Sequence, residues 1–126
     1  MTFLRLTLES MNSAKVKYVE PSGILDGTKA TQFRQQISES VNKGAEIILI
    51  DFKNVTFMDS SGLGALVLAL KTVRAAGIKM YICSINEQIK MLFELTSMDR
   101  VFEIYPDRAT FEKKVLSKYE NYEMLT

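Results

Sequence analysis

Four consecutive branched apolar residues, Ile47-Ile48-Leu49-Ile50, run into Asp51-Phe52 near the middle of the chain. A strand with one wet face alternates apolar and polar residues. An unbroken apolar run needs cover on both faces, which suits a central parallel strand. Helical patterns on either side supply that cover. Upstream, Phe33, Ile37 and Val41 recur every four residues between Thr28 and about Lys43, and Gly44 follows where a helix end favours positive φ. Downstream, residues 60–75 are rich in Leu, Val and Ala and close at Gly77.

The remaining segments extend this frame. Leu4, Leu6 and Leu8 alternate with polar residues, a polar turn follows, and Lys15 to Val19 alternate again. Together they predict an antiparallel hairpin, with the lysines of its second arm placing that arm at a sheet edge. Ile78 to Cys83 is expected to be a strand and Glu87 to Leu95 a helix burying Ile89, Leu92 and Phe93. Val101 to Tyr105 is a short strand stopped by Pro106, and Phe111 and Val115 mark a last helix with Lys113 and Lys114 on its solvated face. The order β-β-α-β-α-β-α-β-α predicts an α/β fold. It has a mixed β-sheet, an N-terminal antiparallel hairpin, right-handed crossovers and about four helices, in one domain over residues 1–126. The polar tail from Glu120 to Thr126 is expected to fray.

Composition narrows the chemistry. The chain has no histidine and a single cysteine, Cys83, so His-based triads, His-ligated metals, internal disulfides and multi-Cys zinc sites are excluded. Sixteen Lys and Arg balance fifteen Asp and Glu, and no basic run exceeds two residues, which argues against nucleic acid as a partner. The longest apolar stretch, Leu63 to Leu70, falls far short of the roughly 20 residues that cross a bilayer. The N-terminal Met-Thr-Phe-Leu-Arg lacks the pattern of a secretory signal. The expectation is a cytoplasmic protein with no membrane, metal or cofactor.

The most specific stretch is Met58-Asp59-Ser60-Ser61-Gly62-Leu63-Gly64. On its own it reads as a capped helix start after a buried strand, the Asp or a Ser accepting from a first-turn N–H. Two glycines in that turn are costly for a helix, at up to about 1 kcal/mol each against alanine. They imply close approach to the backbone by a neighbouring element or by a partner.

Val55 to Ala65 (VTFMDSSGLGA), then Met80-Tyr-Ile-Cys83 and Lys90-Met-Leu-Phe-Glu-Leu95, resemble the STAS domains, and within them the bacterial anti-sigma factor antagonists. The resemblance covers about residues 3–113, with the C-terminal helix and tail at 107–126. It implies a non-enzymatic binding switch. Unphosphorylated, the antagonist binds an anti-sigma factor that is a serine kinase; phosphorylation releases it, and a PP2C-type phosphatase restores it. Carried over by position, the acceptor is Ser60. Gly23-Ile24-Leu25-Asp26 is similar to the family's Gly-Glu-Leu-Asp loop, with Ile24 where the Glu stands, and brings Asp26 near the acceptor. The partner surface implied is Asp26, Asp59, Ser61, Gly62 and Leu63, with some of Val67, Leu70 or Arg74. Each also has a plain reading: Asp26 as a cap for the helix near Thr28, and the apolar residues as core. Cys83 is expected to be a small buried hydrophobe.

An enzyme is disfavoured, since Asp59-Ser60 has no His base and no G-x-S-x-G or G-x-x-x-x-G-K-[ST] motif occurs. A stand-alone STAS module in a partner-switching pathway with a client other than a sigma factor is the alternative, because fold alone does not name the client. A domain detached from a transporter is a third, against which the lack of an apolar span argues.

Overall fold

The structure, a computed structural model, describes residues 13–126. Seven strands and four α-helices alternate along it. The strands are β1 (Ser13–Val19), β2 (Ser22–Leu25), β3 (Ile47–Asp51), β4 (Asn54–Met58), β5 (Lys79–Cys83), β6 (Ile104–Tyr105) and β7 (Asn121–Met124). The helices are α1 (Ala30–Asn42), α2 (Ser60–Ala75), α3 (Glu87–Leu95) and α4 (Arg108–Lys114).

The expected α/β architecture is present. Five strands form one sheet in the order β6-β5-β3-β1-β7, with every described pairing parallel. The apolar run at β3 is central, and all five of its residues are buried. Alternate side chains serve two cores. Val19, Ile48, Ile50, Met80 and Ile82 meet the apolar faces of α1, α2 and α3. Ala14, Val16, Leu49, Tyr81 and Cys83 meet Phe111 of α4 together with Val115 and Leu116. Gly44 and Gly77, at φ +85° and +74°, close α1 and α2 in the conformation their positions imply.

Four expectations are corrected and one is left untested. The first arm of the hairpin, through Leu4, Leu6 and Leu8, lies outside the described residues. Its second arm, β1, is not an edge strand, because β3 and β7 flank it. Its lysines escape burial at the rim: Lys17 Nζ donates to the Thr126 carbonyl, and Lys15 Nζ lies 3.9 Å from where a Cβ on Gly44 would stand. The tail does not fray, since β7 pairs with β1 from Ser13↔Asn121 to Val16↔Met124. Gly23-Ile24-Leu25 is a strand and not a loop: β2 pairs with β4 in a separate two-stranded sheet, with Ile24 opposite Phe57 and Leu25 opposite Met58. The last predicted strand shortens to Ile104–Tyr105, after a 3-10 turn at Met98–Arg100.

An ionic cluster ties α4 to the carboxyl ends of the strands. Asp51 is 1% exposed, and its Oδ2 accepts from Arg108 at 2.9 Å while Oδ1 accepts from the Lys53 N–H. Arg108 also pairs with Glu20 and lies over the Tyr18 ring, 4.4 Å from its centroid. Burying a carboxylate demands this kind of compensation.

Candidate functional site

The corner between β4 and α2 carries the Asp-Ser-Ser sequence. Val55 and Met58 anchor β4 in the core, and Asp59 continues in extended conformation (φ −105°, ψ −175°) before the helix begins at Ser60. The Asp59 carboxylate accepts from the Gly62 N–H at 2.9 Å, and its carbonyl accepts from the Leu63 N–H at 3.0 Å. Asp59 is therefore the helix cap. Ser60 and Ser61 stay exposed on the first turn, where backbone N–H groups have no helical acceptor and the helix dipole is positive.

Gly62 shows which of the two explanations for the glycines applies. A Cβ there would stand 2.0 Å from the Leu25 carbonyl oxygen and 2.8 Å from its carbon. The close neighbour is the end of β2, so Gly62 is a packing residue, buried within the fold. Gly64 is exposed, with nothing within 4 Å of its would-be Cβ. The same seating brings the turn after β2 against the Asp-Ser-Ser corner: a Cβ at Gly27 would lie 3.6 Å from Ser61 Cβ.

Asp26 sits in that turn. Its Oδ1 accepts from the Thr28 hydroxyl at 2.5 Å and the Thr28 N–H at 2.9 Å, and its carbonyl accepts from the Lys29 N–H. The Thr28 hydroxyl, then these backbone donors, hold its carboxyl below the usual carboxylate range. Asp26 thus fixes the turn; α1 starts after Lys29, which gives no side-chain cap.

Of the residues expected on the partner surface, Asp26, Asp59 and Ser61 share this corner with Ser60. Leu63 does not face out. It is 7% exposed and belongs to the core with Leu66, Leu70 and Val73, so the plain reading of it holds and Leu70 follows it. Val67 is half-buried, and Arg74 is exposed at the far end of the helix. Two residues on the same ribbon were not foreseen: Ile24 and Phe57, cross-strand neighbours that are 50% and 45% exposed. The signal for them was the pairing of two short strands, which neither segment declares alone. Cys83 is buried as expected, and burial pushes its thiol up to about 11.

Among the described residues no cluster of acidic or sulfur side chains is arranged to hold a metal ion, and no helix is long and apolar enough to cross a membrane.

A family model described as the STAS domain matches residues 9–111. The chain is similar to the anti-sigma F factor antagonist of Paenibacillus polymyxa, at 30% identity over 117 residues, 90% of this chain and all of the relative. It is similar to the anti-sigma-B factor antagonist of Staphylococcus aureus (strain NCTC 8325 / PS 47), at 27% identity over 101 residues, 80% of this chain and 94% of the relative. A Thermotoga maritima protein of solved crystal structure superposes with a TM-score of 0.73 at 26% identity, covering 86% of this chain and 97% of the other.

Proposed function

The chain belongs to the STAS domain family, and from that premise we propose that it is an anti-sigma factor antagonist that works by binding and not by catalysis. In this reading its partner is an anti-sigma serine kinase, Ser60 is the residue that kinase phosphorylates, and a PP2C-type phosphatase reverses the modification. The observation that carries the reading is the placing of Ser60: exposed, first in its helix, with the neighbouring Asp59 carboxylate already engaged by Gly62.

The physical consequence of modification follows from that placing. A phosphate adds about −1.5 to −2 charges at pH 7 and three acceptor oxygens. The helix dipole and free first-turn N–H groups tolerate the charge within the chain, so the fold survives. A docked protein does not tolerate it equally. The dianion resists desolvation and lies beside Asp59, with the Asp26 turn across from it, so docking loses both contact and electrostatic balance. The supporting surface is Ser60 with Asp26, Asp59 and Ser61, the flanking Ile24 and Phe57 adding apolar area.

The test is incubation with the serine kinase of the source cell and ATP, followed by peptide mass spectrometry and titration calorimetry. The expected result is one phosphate, on Ser60, and a Ser60→Asp chain whose melting temperature stays within roughly 3 °C while its affinity for the kinase falls at least about tenfold. Equal affinity for wild type and Ser60→Asp, or phosphate elsewhere, overturns the reading.

A further inference from the structure

The two-stranded sheet has one edge of β4 against β2; the other edge faces α3, and side-chain amides take the place of a third strand. Gln88 Oε1 accepts from the Met58 N–H at 2.9 Å, and Gln88 Nε2 donates to the Met58 carbonyl at 2.8 Å. Only this orientation of the amide satisfies both groups. Two residues earlier Asn86 caps α3 by accepting from the Ile89 N–H, while its Nδ2 donates to the carbonyls of Val55 and Thr56.

Met58 is the residue before Asp59. Its side chain is fully buried, and both of its polar backbone groups are held by the one amide of Gln88. Rotation of the Met58 peptide planes breaks at least one of these bonds. On the β2 side the nearest restraint is the Asp59 N–H on the Leu25 carbonyl at 3.4 Å, a long bond. We propose that Gln88 is the positioning residue of the acceptor corner, its two-point clasp on Met58 setting the direction in which Asp59 and Ser60 leave β4. The functional part rests on the reading of Ser60 as the phosphorylated residue; the clasp itself does not.

A glutamate at position 88 keeps the shape but, ionised at pH 7, has no proton to give the Met58 carbonyl. A methionine keeps approximate volume and removes both bonds. The experiment uses the full chain, isotope-labelled, as wild type, Gln88→Glu and Gln88→Met. In Gln88→Met the Met58 amide is expected to exchange with solvent about fivefold faster or more, the loss of its hydrogen bond; in Gln88→Glu, whose carboxylate still accepts from that N–H, the clasp is lost at the Met58 carbonyl alone. The amide signals of Asp59, Ser60 and Gly62 shift, while those of Phe33 and Ile37 on α1 do not. With the serine kinase and ATP, KM for the variant chain rises by about fivefold at similar kcat.

Shifts confined to positions 58 and 88, with Asp59, Ser60 and Gly62 unmoved, overturn the proposal, because that is the mark of a purely structural bond. Gln88→Glu indistinguishable from wild type overturns it as well. Should Gln88→Met fail to fold, the isosteric Gln88→Glu still tests the clasp through the signals of Asp59, Ser60 and Gly62. A kinase that leaves Ser60 unmodified in the wild type defeats the proposed function alone, and the amide signals still decide the clasp.

Discussion

Replacing Gly62 by alanine separates a packing glycine from a permissive one. The added Cβ would stand 2.0 Å from the Leu25 carbonyl oxygen, and ordinary contacts begin at 3.4 Å, so a gap of more than 1 Å must open between α2 and the end of β2. The obstacle is backbone, not the tip of a flexible side chain, and Met58 Cγ at 3.1 Å blocks a sideways escape. Overpacking costs about 1–3 kcal/mol, and this site belongs at the upper end. Helix propensity returns about 1 kcal/mol for Gly→Ala. The net expectation is a loss of about 2 kcal/mol, or roughly 6–12 °C in melting temperature for a chain of this size. Gly64→Ala is the internal control. It lies in the same helix with open space around it, so it is expected to gain about 0.5–1 kcal/mol. Urea denaturation of the two variants beside wild type decides the matter. Equal stabilities for Gly62→Ala and Gly64→Ala would refute the close approach of Leu25 and the account of the Asp-Ser-Ser corner built on it.

Two further outcomes follow from the buried groups. Arg108→Met leaves the carboxylate of Asp51 buried without its cation, so a loss of about 3 kcal/mol is expected, partly recovered by adding Asp51→Asn; a loss under about 1 kcal/mol in urea titration counts against the pair. Burial raises Cys83 to about 11 and Tyr18 and Tyr81 to about 12, from ordinary values of 9.0 and 10.0. The fold thus favours their neutral forms: this contribution is complete below about pH 9 and is lost as pH climbs through 11 and 12. The urea midpoint is expected to decline across that window, and Cys83 is expected to resist thiol reagents at pH 8 until the chain unfolds. A flat midpoint to pH 12, or rapid native labelling, contradicts the burial.

Long, strongly patterned elements were legible in the sequence. The bounds of α2 and α3 and the central place of β3 follow from apolar spacing that burial enforces. Strands held by pairing alone were not. In β7 all four residues are exposed, so no burial pattern marks it, and its partner lies over a hundred positions away. The ribbon of β2 and β4 was hidden because Ile24 and Phe57 turn apolar side chains outward, against the usual alternation. The lysines of β1 suggested an edge because their long stems allow an inner strand to carry charge to the rim.

At the corner, the Asp-Ser-Ser sequence located the cap and the exposed serines. It could not separate Gly62 from Gly64, which differ by about 200° around the helix and so face different surroundings. Leu63 was recoverable from spacing, since it shares a stripe with Leu66, Leu70 and Val73. Nothing local to Gln88 announces its role, which depends on the distance between two segments thirty residues apart.

The amides of Asn86 and Gln88 have a second effect. Three carbonyls and one N–H along the outer side of β4 are occupied by short side chains that cannot themselves be extended by another strand. A ribbon bearing Ile24 and Phe57 on its surface would otherwise be a template for fibrous stacking. Terminated in this way, the β4 edge offers no row of open backbone groups beside its greasy residues, and further strand addition is closed off on that side.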